Sequence, residues 1–176
     1  MAQTAAKEKE STTQSKNLMF IQKVKVNNDN IATIFYKTSN DLSAQEVSFT
    51  GKYQITEEFS KAFQNAVTGF TSCIPKLASE TSKITMNVIR FDYGKSDFLE
   101  KALYSVKYAF NDQNNAIINI STPLLPIYKE GYENTFCISG KDEEALHKII
   151  EKAKAYINGE TRTKQMKLVV DNTEEK

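Results

Sequence analysis

The sequence predicts an α+β fold in which antiparallel three-stranded meanders are each followed by a helix, in the order βββα-βββα. Three observations predict it. Runs with strand alternation are separated by short Asn- and Asp-rich turns, two apolar stripes recur at helical spacing, and no connection between strands after Lys83 is long enough for a parallel crossover. With ten Phe and eight Tyr in 176 residues, the chain can bury one core but hardly two. One domain is therefore expected over residues 17–158, between a disordered tail at 1–16 and a flexible tail at 159–176.

Taken in order, Leu18 to Val26 places Phe20, Val24 and Val26 on one side, and after the turn Asn27-Asn28-Asp29-Asn30 the run Ile31 to Lys37 answers it as a hairpin. Glu46 to Tyr53 supplies a third strand through Val47 and Phe49. Thr56 is placed to cap a helix whose first turn holds Glu57 and Glu58, and Phe59, Phe63, Val67, Phe70 and Ile74 continue one stripe as far as Pro75. The second half opens with a strand from Lys83 to Tyr93, a turn at Gly94 to Asp97, and a long strand from Phe98 to Phe110. Strand parity puts Phe98, Ala102, Tyr104, Val106, Tyr108 and Phe110 on one face of that strand, and Leu99, Lys101, Leu103, Ser105, Lys107 and Ala109 on the other. Ala116 to Thr122 closes the meander, Pro123 and Pro126 stop it, and an irregular segment leads to a last helix from Lys141 to Asn158 with Gly159 beyond it.

Composition removes many function classes. Lys and Arg number 23 against 22 Asp and Glu, so the strongly basic footprint of a non-specific duplex binder is missing. There is one His, His147, set among Glu143, Glu144, Glu151 and Lys154 on the charged face of the last helix, and Cys73 and Cys137 form no Cys-x-x-Cys pair. No enzyme, cofactor or metal is expected from these residues. Asp92, Asp97 and Asp112, near the strand turns, are the one set with the oxygen ligands a divalent ion site needs. Residues 1–16 hold no apolar leader and no later run reaches the length of a membrane span, so a soluble cytoplasmic protein is expected.

Two surfaces stand out. Arg90 and Tyr93 on one strand and Lys101 and Lys107 on its neighbour suggest a sheet face that meets single-stranded nucleic acid, although parity sets the lysines opposite Tyr104 and Tyr108. Eighteen aromatics with only two helices to cover the strands also predict a residual apolar patch for a second copy. Leu99, Leu103 and Ala109 are the expected homodimer interface, with Lys101 and Lys107 at its rim. In the tail, Gln165-Met166-Lys167-Leu168-Val169-Val170 is similar to the Gln-x-x-Leu-x-aromatic peptide that docks replication proteins on sliding clamps, with Gln165 and Leu168 as the partner-binding residues and Val170 in the aromatic's place.

Val88-Ile-Arg-Phe-Asp-Tyr-Gly94, Ile118-Asn-Ile-Ser-Thr-Pro123 and Ala155-Tyr-Ile-Asn-Gly159, in that order, resemble a family of small uncharacterised bacteriophage proteins. The resemblance covers about half of the chain, mainly residues 83–159. It implies a phage setting and no activity. Two roles fit it: a replication or recombination accessory that binds single-stranded DNA or a DNA-bound protein, or an inhibitor of a host defence protein or sponge for a nucleotide signal.

Overall fold

Alternation in the first hairpin turns directly into pairing. In the computed structural model, which describes residues 18–39, 44–111, 116–129 and 136–160, β1 (Phe20–Val26) pairs antiparallel with β2 (Ala32–Lys37). The carboxamide oxygen of Asn27 accepts from the backbone N–H of Asp29 at 3.0 Å and of Ile31 at 2.9 Å, while Asn30 takes the left-handed conformation at φ 57°. β3 (Val47–Thr50) adds to β2, and β4 (Ile84–Asp92), β5 (Lys101–Asn111) and β6 (Ala116–Ser121) form the second meander. A two-residue β7 (Leu125–Pro126) pairs with the start of β5. Every one of these pairings is antiparallel, and the seven strands form one sheet in the order β3-β2-β1-β4-β5-β6, with β7 beside β5.

The helices lie on one side of that sheet. α1 (Glu57–Asn65), α2 (Val67–Cys73) and a 3-10 helix (Pro75–Lys83) connect the two meanders, and α3 (Lys141–Ile157) follows the second. Thr56 caps α1 as its sequence indicates, its hydroxyl accepting from Phe59 N at 3.2 Å. Phe59, Phe63 and Phe70 from α1 and α2 and Leu146, Ile149 and Tyr156 from α3 are all buried, against Val24, Ile34, Ile89, Tyr104 and Val106 of the strands. None of the described helices is long and apolar enough to cross a membrane.

The α+β class is present, and the elements run three strands, helices, four strands, helix, so the exact βββα-βββα repeat is not reproduced: the first helical segment is divided and β7 follows β6, and all the strands join one sheet. β1 pairs with β4 through Lys23↔Arg90, Val24↔Ile89 and Lys25↔Val88, so the meanders share one hydrogen-bonded seam. Four local details also differ from expectation. The stripe from Phe59 to Ile74 is carried by two helices broken at Ala66, beside which Gln64 accepts from Met86 N at 3.0 Å and ties the break to β4. β3 spans only Val47–Thr50, with one further in-register bond from Gly51 N to Ala32 O, so the run to Tyr53 is not strand. β5 begins at Lys101, because the Ser96 hydroxyl folds Tyr93 to Phe98 into a turn, which leaves Phe98 79% exposed and Leu99 buried. Finally, the expected stop at Pro126 is a strand, tolerated because Pro needs no donor at a sheet edge.

Candidate nucleic-acid interface

Among the described residues, helices cover one face of the sheet and leave the other open. Register identifies what the open face carries. Across β3, β2, β1, β4 and β5 one row reads Ser48, Phe35, Lys23, Arg90, Leu103, and the next reads Thr50, Thr33, Lys25, Val88, Ser105 and, on β6, Ser121. A third row holds Thr85, Lys107 and Asn119. Side-chain direction is preserved despite the irregularities in β1 between Ile21 and Lys23 and in β4 between Met86 and Val88. Each bulge moves the apolar alternation by one residue, so Ile21 and Val24, and likewise Met86 and Ile89, both reach the core.

The charge on this face is one-sided at its centre. Lys23 and Arg90 lie directly opposite each other, Lys25 follows on β1, and Lys107 stands two strands away. Directly opposed like charges in a sheet repel. None of the ion pairs among the described residues involves Lys23, Lys25, Arg90, Lys101 or Lys107. Their neutral contacts are few: the Lys23 ammonium sits 3.5 Å from the Phe35 ring centroid, and Lys107 Nζ reaches Asn28 Oδ1 at 3.2 Å. At one end Asp92 faces Lys101 in register and accepts from Gly94 N at 2.9 Å, and Glu46 borders the surface there.

Two shallow depressions meet at the Lys23 and Arg90 pair. One, of about 510 Å³, is bounded by Lys25, Asn27, Thr33, Phe35 and Val88. The other, of about 440 Å³, extends past Leu103 to Leu124 and Asp92. Together they make a track across the strands with cations at its middle, one aromatic ring and hydroxyls from Ser and Thr. Such a surface offers phosphates a set of donors and offers one base a ring to lie against.

Of the residues singled out from sequence, Arg90, Lys101 and Lys107 share the open face. Tyr93 does not join them. It is buried, with its ring 5.4 Å from Phe20 in an edge-to-face contact, and burial pushes its phenol well above the ordinary tyrosine range. Leu103 and Ala109 are half-buried on the open face, whereas Leu99 is buried and is not available to a partner. Gln165, Leu168 and Asp112 lie outside the described residues. No cluster of three His, Cys, Asp or Glu side chains with metal-binding geometry occurs among the described residues.

Lys23, Lys25 and Phe35 escaped the sequence reading. The alternation Lys-Val-Lys-Val from Lys23 to Val26 already sets the two lysines opposite the valines, but their juxtaposition with Arg90 depends on β1 pairing β4, which no local pattern encodes. The remaining reactive groups lie elsewhere. Cys73 is half-buried on α2 and donates to Gly69 O at 3.0 Å, and burial, aided by the nearby Asp142 carboxylate, pushes its thiol up to about 11. His147 is exposed on α3, 3.9 Å from Glu143. No protein-family model matches the chain, and no curated protein and no solved structure matches it.

Proposed function

We propose that the open face of the sheet binds single-stranded nucleic acid, in a replication or recombination accessory of the phage type that the sequence resembles. The observation that supports this reading is the Lys23 and Arg90 pair, opposed across β1 and β4 without a carboxylate partner among the described residues. Repulsion between them works against folding, and a bound phosphate relieves it. Lys25 and Lys107 extend the donor set along the track, and Phe35 gives a base a stacking surface once the Lys23 ammonium that lies over its ring turns to a phosphate. Tyr104 and Tyr108 are excluded from stacking, because both are buried on the helix side.

The two depressions support a second reading, in which the face sequesters a small nucleotide signal, since about 510 Å³ lies within the range of small-molecule sites. Salt separates the two. A strand that contacts several phosphates loses affinity with a log–log slope of about 0.7 per phosphate, and a compact nucleotide shows a slope near that of its own one or two phosphates. Fluorescence anisotropy of a labelled oligo-dT, titrated at several salt concentrations, is expected to show the steep slope. The K23E/R90E double variant is expected to bind at least about tenfold more weakly, by loss of two phosphate contacts. Equal binding by wild type and double variant overturns the assignment of this face, and a stoichiometric host protein in a pull-down without any oligonucleotide binding favours the inhibitor role.

A further inference from the structure

The turn after β1 sets one polar side chain at the open face with its direction fixed. Asn27 continues the outward side of β1 past Lys25, and it borders the larger depression together with Lys23, Lys25, Thr33 and Arg90. Most of its hydrogen-bonding capacity is used within the turn. Its backbone N–H donates to Ile31 O at 3.1 Å, and its backbone carbonyl accepts from Asn30 N at 3.1 Å. Its side-chain Oδ1 accepts from Asp29 N at 3.0 Å and from Ile31 N at 2.9 Å. Two N–H donors on one atom identify that atom as the oxygen, so the other end of the carboxamide is the NH2 group. That NH2 donates to none of the described residues.

The polar groups at the depression are of one kind. Lys23, Lys25, Arg90 and the Asn27 NH2 can only donate, and the Thr33 hydroxyl is shared with that of Thr50 at 3.2 Å. No Asp or Glu is among the described residues that line it. The charged and the neutral donors have different uses. A cation takes a phosphate in preference to a neutral amide, because a charge-assisted hydrogen bond is the stronger one. Lysines also turn on long flexible stems, so they position a strand without telling its bases apart. Asn27 is neutral, and two backbone bonds hold the plane of its amide.

We propose that Asn27 reads the base on this face, donating to a base carbonyl oxygen, so that the face favours thymine or uracil and disfavours adenine. The inference rests on the nucleic-acid reading above. The chemistry of base edges decides the choice. Thymine and uracil each present two carbonyl oxygens. Adenine presents none, and its ring acceptors N1 and N7 both adjoin the N6 amino group, which is itself a donor. Against a fixed NH2 and a border of cations, that amino group faces donors, and a polar group left unmatched in a contact weakens it.

Fluorescence anisotropy with labelled oligo-dT and oligo-dA of equal length tests the proposal. Wild type is expected to bind oligo-dT about three- to tenfold more tightly, the worth of one hydrogen bond. N27D keeps an oxygen for the two turn bonds and replaces the NH2 with a second acceptor, while N27S keeps a hydroxyl for the turn and removes the amide without adding charge. Both variants are expected to bring the ratio of dT to dA affinity down to about one or below, with far-UV circular dichroism unchanged. The self-stacking of oligo-dA is common to all three proteins, and the charge added in N27D acts on both oligonucleotides, so the change in ratio reports Asn27. Equal affinity of wild type for the two, or a preference that persists in both variants, overturns the inference and leaves the binding face standing. Binding to neither oligonucleotide overturns the nucleic-acid reading, and the role of Asn27 falls with it.

Discussion

The two faces of this sheet come from the same strands and obey different rules. On the helix side, Ile34, Val24, Ile89, Tyr104 and Val106 follow one another across β2, β1, β4 and β5, every one of them at most 1% exposed. On the open side the same strands present Phe35, Lys23, Arg90, Leu103 and Ser105, none of them fully buried. The inner face is complementary to itself. The outer face repels itself, with Lys23 against Arg90, and its half-buried apolar members are divided by cations. The difference teaches that strand alternation in this chain separates buried packing from open, charged surface residue by residue: a neighbour one position along belongs to the other face.

The largest test of that separation is truncation. Phe63→Ala, at a position with no exposed surface, is expected to cost about 3–5 kcal/mol in urea denaturation. Leu103→Ala, half-buried on the open face, should cost less than about 1 kcal/mol. If the two costs are alike, the outer face is covered in solution and the contrast between faces disappears.

A smaller effect has the opposite sign. Arg90→Thr removes one of two opposed cations and keeps a strand-forming residue, so stability should rise by about 0.2–1 kcal/mol at low salt. The gain should shrink as salt is added. The same variant should lose oligonucleotide affinity, and a substitution that raises stability while lowering binding is the signature expected of a residue kept for its ligand. A variant that loses stability would show that Arg90 is paired in solution, and the comparison would then need redrawing.

The smallest effect concerns a link between the sheet's inner face and the helix layer. The Tyr108 hydroxyl donates to Glu80 on the 3-10 helix, and this bond, with help from Lys83, holds the Glu80 carboxyl below the usual 4.5. A carboxyl lowered on folding contributes stability that is complete above pH 4.5 and is lost as the pH falls through its lower folded value. Tyr108→Phe should therefore flatten the loss of stability below pH 4.5, read as a shallower dependence of the thermal midpoint on pH. An unchanged slope would detach Tyr108 from Glu80.

Much of the fold was legible because its signals are local. The Asn27 to Asn30 turn, the Thr56 cap and the stripe of α3 each depend on residues within a few positions of one another, and each is present in the structure. Parity on β5 was legible too: Lys101, Leu103, Ser105 and Lys107 share one face, with Tyr104 and Tyr108 on the other. What failed were events that shift phase. Ala66 breaks a helix whose apolar spacing runs through it unaltered, and the turn fixed by Ser96 delays β5, exchanging the fates of Phe98 and Leu99. The candidate site was half legible for a related reason. Arg90, Lys101 and Lys107 lie on strands joined by a short connection, but Lys23, Lys25 and Phe35 come from the other meander and arrive only through long-range pairing.

That seam between β1 and β4 has a consequence in time. Each meander can assemble from neighbours in the chain, and hairpins of this kind form in about 1–10 μs. The seam must wait until the segment carrying α1, α2 and the 3-10 helix has brought its two ends together, a closure whose entropy is lost before any contact rewards it. Lys23, Lys25 and Arg90 are therefore brought together by a long-range joining step rather than within either meander, and the cations meet only when the two halves come together.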